Sequence, residues 1–132
     1  MPLGSADAAV TLDELCERAG IPQEAAKELE SFGLIAAHGS GADKRFPESD
    51  IDVAGMCAQL ARYGIAPRHL RTFRTGADRE AALLGQLVAP ELRARSGERR
   101  TQALRDLQEL GELAAELSAA LFWRDLREVA GQ

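Results

Sequence analysis

The sequence has few of the residues that favour β-strands. Its 132 residues include 4 valines, 4 isoleucines and 6 aromatic residues, against 24 alanines and 18 leucines. Because β-branched and aromatic side chains favour strands while alanine and leucine favour helices, we do not expect a sandwich, a barrel or a parallel sheet. The composition predicts a mostly α fold, arranged as one ordinary domain or two small subdomains.

Cysteines and catalytic motifs are scarce too. Cys16 and Cys57 are too few for a disulfide scaffold. They form no CxxC motif and lie on apolar helix stripes, so we expect buried, unreactive thiols and no metal site or cofactor. The sequence has no Ser/His/Asp motif, no HExxH motif and no glycine-rich phosphate loop, and an enzyme is therefore not expected.

Long apolar runs and a targeting signal are also absent. No strictly apolar run is long enough to span a bilayer. Met1–Ser5 lacks the pattern of a signal peptide and resembles a cloning remnant. We therefore expect a cytoplasmic protein that contacts no membrane, and we expect residues 1–10 to form a disordered lead.

Lysine is nearly absent, and the charges are spread unevenly along the chain. There are 2 lysines against 14 arginines. Residues 1–66 hold 11 acids and 5 bases, whereas residues 67–132 hold 10 acids and 11 bases. Because acidic side chains repel phosphates, the first half is a poor candidate for nucleic-acid binding.

The sequence does contain a succession of helix signals. Thr11-Leu-Asp-Glu14 has the form of a capping box. Apolar residues then recur at helical spacing until Gly20, which ends the first helix. Pro22 suits the start of a second helix, which Gly33 ends. The pattern is a helix, a tight turn and a helix.

An irregular, glycine-rich stretch at residues 36–46 follows these two helices. It predicts a small hairpin or wing with only a few residues on each side. A third helix begins among the acids after Pro47, since acids suit a helix N-terminus, and it ends at Tyr63. Its predicted apolar stripe is Val53, Met56, Cys57 and Leu60.

Two longer helices are predicted after a short helix that opens at Pro67. The capping box Thr75-Gly-Ala-Asp78 begins the first of them, and Pro90 should kink or break it. The second runs from Glu98 to about Val129. It carries a coiled-coil-like seam that indicates either a dimer contact or an intramolecular clamp, formed by Ala103, Leu107, Leu110, Ala114, Leu117 and Leu121.

The order of the first elements resembles the DNA-binding domain of the MerR family of transcription regulators. The residues that carry this resemblance are Thr11–Ile21, Glu30–Ile35, Phe46–Ile51 and Tyr63–Ile65. The resemblance implies a MerR-like winged helix-turn-helix module at residues 11–75. The remaining residues, 76–132, would form a helical hairpin that packs on this module or dimerises.

The next stretch resembles a narrower group within that family. Residues 62–79, with Leu-Val-Ala-Pro90 and the long final helix, are similar to the C-terminal domain of actinobacterial cell-division regulators of the FtsR type. The resemblance implies an effector, dimerisation or partner-binding domain of a transcriptional regulator. Such a regulator would be a homodimer that binds promoter DNA through a separate N-terminal domain outside this chain.

The positions at which MerR domains contact DNA differ in this sequence. An Arg and a Tyr of the family's second helix contact phosphates, and Lys27 and Glu28 stand there instead. The aromatic–Arg pair of the wing becomes Asp43-Lys44, with Arg45 next. We therefore expect a MerR-like shape without its own DNA-reading surface. The competing hypothesis is direct DNA binding through Lys27, Lys44, Arg45 and the arginines of residues 62–79.

Residues 62–79 are rich in arginine and contain a single acid, Asp78. Arginines three residues apart on a helix can converge on one ligand. This pattern favours a site for an anion or an acidic protein partner, while the alternative is a solvated helix face paired with nearby acids. The candidate residues are Arg62, Arg68, His69, Arg71, Arg74 and Arg79.

A third hypothesis is a small-molecule sensor. An apolar pocket between the MerR-like half and the C-terminal helices would support it. The aromatic residues that would line such a pocket are Tyr63, Phe73 and Trp123.

Overall fold

The computed structural model describes Leu3 and residues 7–131 of the chain. These residues are mostly helical, which confirms the fold class expected from the composition. In chain order the elements are β1 (Ala9–Val10), α1 (Leu12–Ala19), α2 (Gln23–Ser31), a 3-10 turn (Gly41–Asp43), β2 (Phe46–Pro47), α3 (Ser49–Ala61), a second 3-10 turn (Pro67–Leu70), α4 (Arg71–Leu92) and α5 (Gly97–Ala130).

The chain folds as two compact units. The N-terminal unit is Ala6–Gly76, and the C-terminal unit contains Ala77–Gln132. The N-terminal unit holds the helix-turn-helix of α1 and α2, the wing and α3. The C-terminal unit is a hairpin of two helices, formed by most of α4 and all of α5.

The first helix begins and ends as the sequence predicts. The backbone N–H of Glu14 donates to Thr11 Oγ1, and the N–H of Thr11 donates to Glu14 Oε1, each at 3.1 Å. This capping box provides partners for two backbone amides at the helix start. Gly20 ends the helix with a φ of 72°, in the left-handed region that glycine adopts readily.

The expectation of a disordered lead over residues 1–10 is wrong for the end of that segment. Val10 pairs with Phe46 and Ala9 with Pro47 in an antiparallel β1–β2 ladder. Val10 is buried, because its side chain joins the core beside Phe46. A two-residue strand is too short to leave a periodic signal in the sequence. The cloning-remnant interpretation of Met1–Ser5 falls almost entirely outside the described residues.

The predicted wing is a tight loop closed by one pair of residues. His38 and Arg45 exchange two backbone hydrogen bonds, of 2.8 and 2.9 Å. Gly39 begins the loop with a φ of 77°. A Cβ atom at this position would lie 2.6 Å from the carbonyl oxygen of Asp43. Only glycine therefore fits this position, on both conformational and steric grounds.

The N-terminal unit has one hydrophobic core, whose largest fully buried side chains are Phe46, Leu15 and Ile35. The buried stripe of α3 differs from the predicted one. Met56 is 57% exposed, and the buried positions of this helix are Ile51, Ala54 and Cys57. The helix α3 carries apolar residues on most of its faces, so helical spacing alone could not identify the face that is buried.

The helix predicted to start at Thr75 is instead part of a longer one. After the 3-10 turn, α4 runs without a break from Arg71 to Leu92. The N-terminal signal lies earlier, where Pro67 opens the turn and the N–H of Ala66 donates to His69 Nδ1 at 3.1 Å. Thr75 therefore lies inside the helix and cannot cap it. Pro90 lies inside the last turns of α4.

The C-terminal hairpin turns between Leu92 and Gly97. Ser96 caps α5, since its hydroxyl accepts a hydrogen bond from the backbone N–H of Arg99. The 34 residues of α5 make a helix roughly 50 Å long at 1.5 Å per residue. The two helices bury Val88 and Ala103, and Ser118 donates a hydrogen bond to Glu80 between them. Both helices of this pair were predicted from the sequence.

We expect Thr11→Ala to lower the free energy of unfolding by about 1 kcal/mol, because the substitution removes the side-chain acceptor of the cap. Thr11→Ser keeps that acceptor and should behave as wild type in urea denaturation. A Thr11→Ala chain that is as stable as wild type would contradict this role of the capping box.

The same variant makes a prediction about pH. Hydrogen bonds from Thr11 lower the pKa of Glu14 below its ordinary value of 4.5. A lowered folded-state pKa contributes stability above the unfolded value, and this contribution is lost as the pH falls through the folded value. In Thr11→Ala the pKa of Glu14 should rise only part of the way toward 4.5, because the backbone N–H of residue 11, which is the larger cause of the lowering, remains. An NMR titration of the Glu14 carboxyl measures this rise.

Candidate functional site

The surface that would read DNA in a winged helix-turn-helix protein is acidic here. On α2, the helix predicted to hold the reading position, Lys27 is exposed between the exposed acids Glu24 and Glu28. Glu30 is the third acid of this helix. A phosphate that approached α2 would meet a net negative face, so Lys27 alone gives little attraction.

The two bases of the wing are held by contacts within the N-terminal unit. Lys44 Nζ lies 2.9 Å from Glu30 Oε1, and both side chains are about one third exposed, at 33% and 30%. Lys44 also lies over the ring of Phe46, 5.5 Å from its centroid. Arg45 donates from one guanidinium nitrogen to the carbonyl oxygens of Ala42 and Lys44. These contacts compete with any phosphate for the two cations.

The residues of the arginine-rich segment do not all have the same role. Arg68 and Arg71 are exposed on the 3-10 turn and the first turn of α4. Burial raises the pKa of Asp50, while the backbone N–H of Ala36 and, to a smaller extent, the charge of the nearby Arg74 lower it. His69 uses Nδ1 to accept the N–H of Ala66. The structure therefore gives Arg74 and His69 local structural contacts.

The remaining two arginines of this segment lie outside the 3-10 turn and the first turn of α4. Arg62 is the C-terminal capping residue of α3. Arg79 is an exposed residue of α4 and belongs to the C-terminal unit. A single anion site formed by all six candidates stays a prediction for the segment as a whole.

The three aromatic residues of the pocket predicted from the sequence are exposed, and the pocket itself stays a prediction. Tyr63 is 87% exposed, Phe73 61% and Trp123 56%. Trp123 stacks edge-on against Phe122 on the same helix, with ring centroids 5.4 Å apart. Neither groove described below is lined by any of the three. The amphipathic pattern of a helix shows which of its faces is apolar. It does not show which surface, if any, covers that face.

The predicted seam of α5 is covered at its start and exposed at its end. Ala103 is buried, and Leu107, Leu110 and Ala114 are partly buried. Leu117 and Leu121 are exposed, like the neighbouring Leu113. The first half of the seam is therefore covered within this chain, and the second half faces outward.

Sequence reasoning missed two grooves on the N-terminal unit. The α2–α3 groove has a volume of about 330 Å³ and runs between those two helices, with Ala25 and Leu29 on one side and Cys57 and Ala61 on the other. The α1–α3 groove, of about 670 Å³, adjoins it and is lined by polar side chains such as Arg18 and Asp52. Small residues repeated on α3, at 54, 58 and 61, are the signal that could have indicated the first groove.

The two cysteines of the N-terminal unit are buried. Burial raises the pKa of the Cys57 thiol, and it also raises the pKa of the Cys16 thiol, with a smaller contribution from Asp13. A raised pKa reduces the thiolate fraction on which thiol reactivity depends. Over the described residues no group of three His, Cys, Asp or Glu side chains is placed to hold a metal ion.

None of the described helices is both long and apolar enough to cross a membrane. α5 has the necessary length, but charged residues recur along it up to Glu128. Its apolar side chains therefore form stripes rather than a continuous apolar surface.

Comparison with known proteins gives one family over almost the whole chain. Residues 8–130 match the family described as the Rv1828-like C-terminal domain. Two relatives named as uncharacterised HTH-type transcriptional regulators, Rv1828 of Mycobacterium tuberculosis and Mb1859 of Mycobacterium bovis, are each 31% identical to the chain over 134 residues. The match covers 96% of this chain and 53% of each relative. The chain thus spans about half the length of the curated relatives it matches.

The charges on α2 and the wing lead to a prediction about DNA. In fluorescence anisotropy with a labelled duplex, the chain should show no saturable binding at about 200 mM salt, because few free cations face outward there. Replacing Glu24 and Glu28 by lysine should create measurable binding at about 50 mM salt, as a positive control for the repulsion. Tight wild-type binding with a steep salt dependence would overturn this interpretation.

Proposed function

Because this chain belongs to the family of Rv1828-like C-terminal domains, we propose that it is the self-association domain of an HTH-type transcriptional regulator. Promoter DNA is then read by the other half of the protein. In this proposal the regulator is of the MerR type and controls cell division in the cytoplasm, as the resemblance of residues 62–79 implies. The proposed homodimer forms through the C-terminal unit.

The observation that carries this proposal is the apolar surface left open on the helical hairpin. Its buried hydrophobic residues are Val88 and Ala103. By contrast, the exposed large hydrophobic residues of the described part of this unit are Leu83, Leu87, Leu113, Leu117, Leu121, Phe122, Trp123, Leu126 and Val129. Large exposed apolar surfaces of this kind mark interaction sites.

These side chains form stripes rather than a scatter. Leu83 and Leu87 are four residues apart on α4 and are 62% and 63% exposed. Leu113, Leu117 and Leu121 follow the same spacing on α5. Residues four apart are neighbours on a helix surface. Each helix of the hairpin therefore presents an outward apolar ridge in addition to its inward face.

A second copy of the hairpin is the partner that suits such ridges. Two hairpins that pack through the same surfaces make a four-helix arrangement with two-fold symmetry. A two-fold dimer also matches the paired half-sites to which helix-turn-helix regulators bind. The symmetry that the hairpin would impose is therefore the symmetry that the proposed function requires.

A stable contact requires the leucines of both ridges. Burying a leucine stabilises by about 1.5–3 kcal/mol. The three outward leucines of α5, taken from two copies, contribute roughly 9–18 kcal/mol as an upper bound. Association costs about 4–15 kcal/mol. The α5 ridge alone is thus marginal, and the α4 leucines are needed to make the dimer firm.

The competing proposal, in which this chain itself reads DNA, lacks a comparable observation. Lys44 and Arg45 are engaged with Glu30 and with backbone carbonyls. Arg68 and Arg71 remain exposed cations, and they suit contact with an acidic protein partner as well as with a phosphate. The apolar surface of the hairpin, by contrast, suits a protein surface and not a phosphate.

The test is the oligomeric state of the chain and of a charge-bearing variant. We expect a dimer in sedimentation equilibrium. The double substitution Leu113→Glu and Leu117→Glu should weaken the dimer by roughly 100-fold or more, because each copy then buries two unpaired charges. Circular dichroism should show an unchanged helix content.

The matched control places the same two charges on another exposed face of α5. Ala115→Glu and Ala119→Glu add carboxylates at positions that are exposed and lie off the leucine ridge. This variant should remain as dimeric as wild type. A wild-type chain that is monomeric at every concentration, or a control that dissociates equally, would exclude the leucine ridge as the interface.

A further inference from the structure

We propose that the N-terminal unit binds a small organic anion with an apolar body. The apolar part occupies the α2–α3 groove, and the guanidinium of Arg62 binds the anionic group. The site lies wholly within the N-terminal unit, so the proposal does not depend on self-association of the hairpin.

The α2–α3 groove exists because the side chains facing it are small. Ala25 of α2 lies opposite Ala58 and Ala61 of α3, which leaves space that larger side chains would fill. Leu29 and Cys57 are buried and form its apolar base. Its volume of about 330 Å³ lies within the range of pockets that bind small molecules, about 300–1,000 Å³.

Arg62 gives the groove a charged end. It lines both the α2–α3 groove and the adjoining α1–α3 groove. The described residues offer it neither an ion pair nor a side-chain hydrogen bond. An arginine without a partner at the boundary of an apolar and a polar groove suits a carboxylate or a similar anion.

The other charges around Arg62 bear on where the charged group of the ligand would lie. Arg18 also lines the α1–α3 groove, and its contact with Glu48, at 3.7 Å between exposed side chains, is weak. Asp52 is the acid of that groove, so two cations face one anion there. Glu28 lines the α2–α3 groove. The anionic group is therefore expected between Arg62 and Arg18, away from Glu28.

A helix from a second copy would be a different occupant of the same groove. The outward ridge of α5 is apolar, but it extends over several turns, whereas this groove has room for only a small body. The unpartnered guanidinium next to an apolar space favours an amphiphilic small molecule. If α5 docks there instead, the Leu113→Glu and Leu117→Glu double variant should shift the amides of Ala25, Cys57 and Ala58 in the absence of any probe.

The test uses octanoate and 1-octanol, which have the same chain length and differ in the charged group. Amide shifts in a heteronuclear NMR titration of the whole chain locate the binding site. We expect both probes to shift the amides of Ala25, Cys57 and Ala58. Octanoate should bind about tenfold more tightly, as expected for one charge-assisted contact.

Three variants make the test specific. Arg62→Gln should bring octanoate to the affinity of 1-octanol, while Arg68→Gln, a control on a nearby exposed turn, should leave the tenfold difference unchanged. Ala58→Leu should fill the groove and weaken both probes. The titration is repeated in the Leu113→Glu and Leu117→Glu double variant, which separates groove binding from binding to the hairpin.

Three results would overturn the proposal. The first is equal affinity for octanoate and 1-octanol in the wild-type chain. The second is an Arg62→Gln variant that still prefers octanoate. The third is a set of shifts confined to residues 113–129, which would show that the probes bind the apolar surface of α5 and that the α2–α3 groove is empty.

Discussion

A pair of helices cannot enclose a hydrophobic core, and this constraint determines which side chains of the C-terminal unit are buried. Each helix can turn one stripe toward its neighbour, and Val88 and Ala103 are buried in that way. Any further apolar stripe must face outward, as Leu83 and Leu117 do. The sequence nevertheless places leucines on more than one face of both helices. The hairpin therefore has complete helices but leaves apolar stripes exposed, and in the proposed homodimer a second copy covers them.

The N-terminal unit, unlike the hairpin, encloses a hydrophobic core. Its core is closed around Phe46, Leu15 and Ile35, and its elements follow the order from which the sequence predicts a winged helix-turn-helix module. Its surface has different chemistry. Lys44 of the wing forms an ion pair with Glu30 of α2. This contact engages a cation that could otherwise bind a phosphate. The buried core therefore determines the fold of this unit, while its surface residues can serve a function other than DNA binding.

Local signals allowed the helices to be predicted, and tertiary contacts decided what could not be predicted. The capping box at Thr11, the stop at Gly20 and the long final helix each depend on neighbours in the sequence. The strand at Val10 depends on Phe46, 36 residues later, and gives no local pattern. The grooves arise from small residues on two different helices, so neither helix alone reveals them. The exposure of Tyr63, Phe73 and Trp123 could not be derived from helical spacing.

The position of Cys57 has a practical consequence. Its thiol lines the α2–α3 groove, is buried, and has a pKa raised by that burial. Such a thiol exchanges slowly with disulfides in free solution, because the thiolate is the reacting form. A disulfide-bearing fragment that resides in the groove holds its sulfur beside Cys57 and gains a high effective concentration. Disulfide tethering on this chain would therefore select fragments by how well they fit the groove, with little background from reactivity alone.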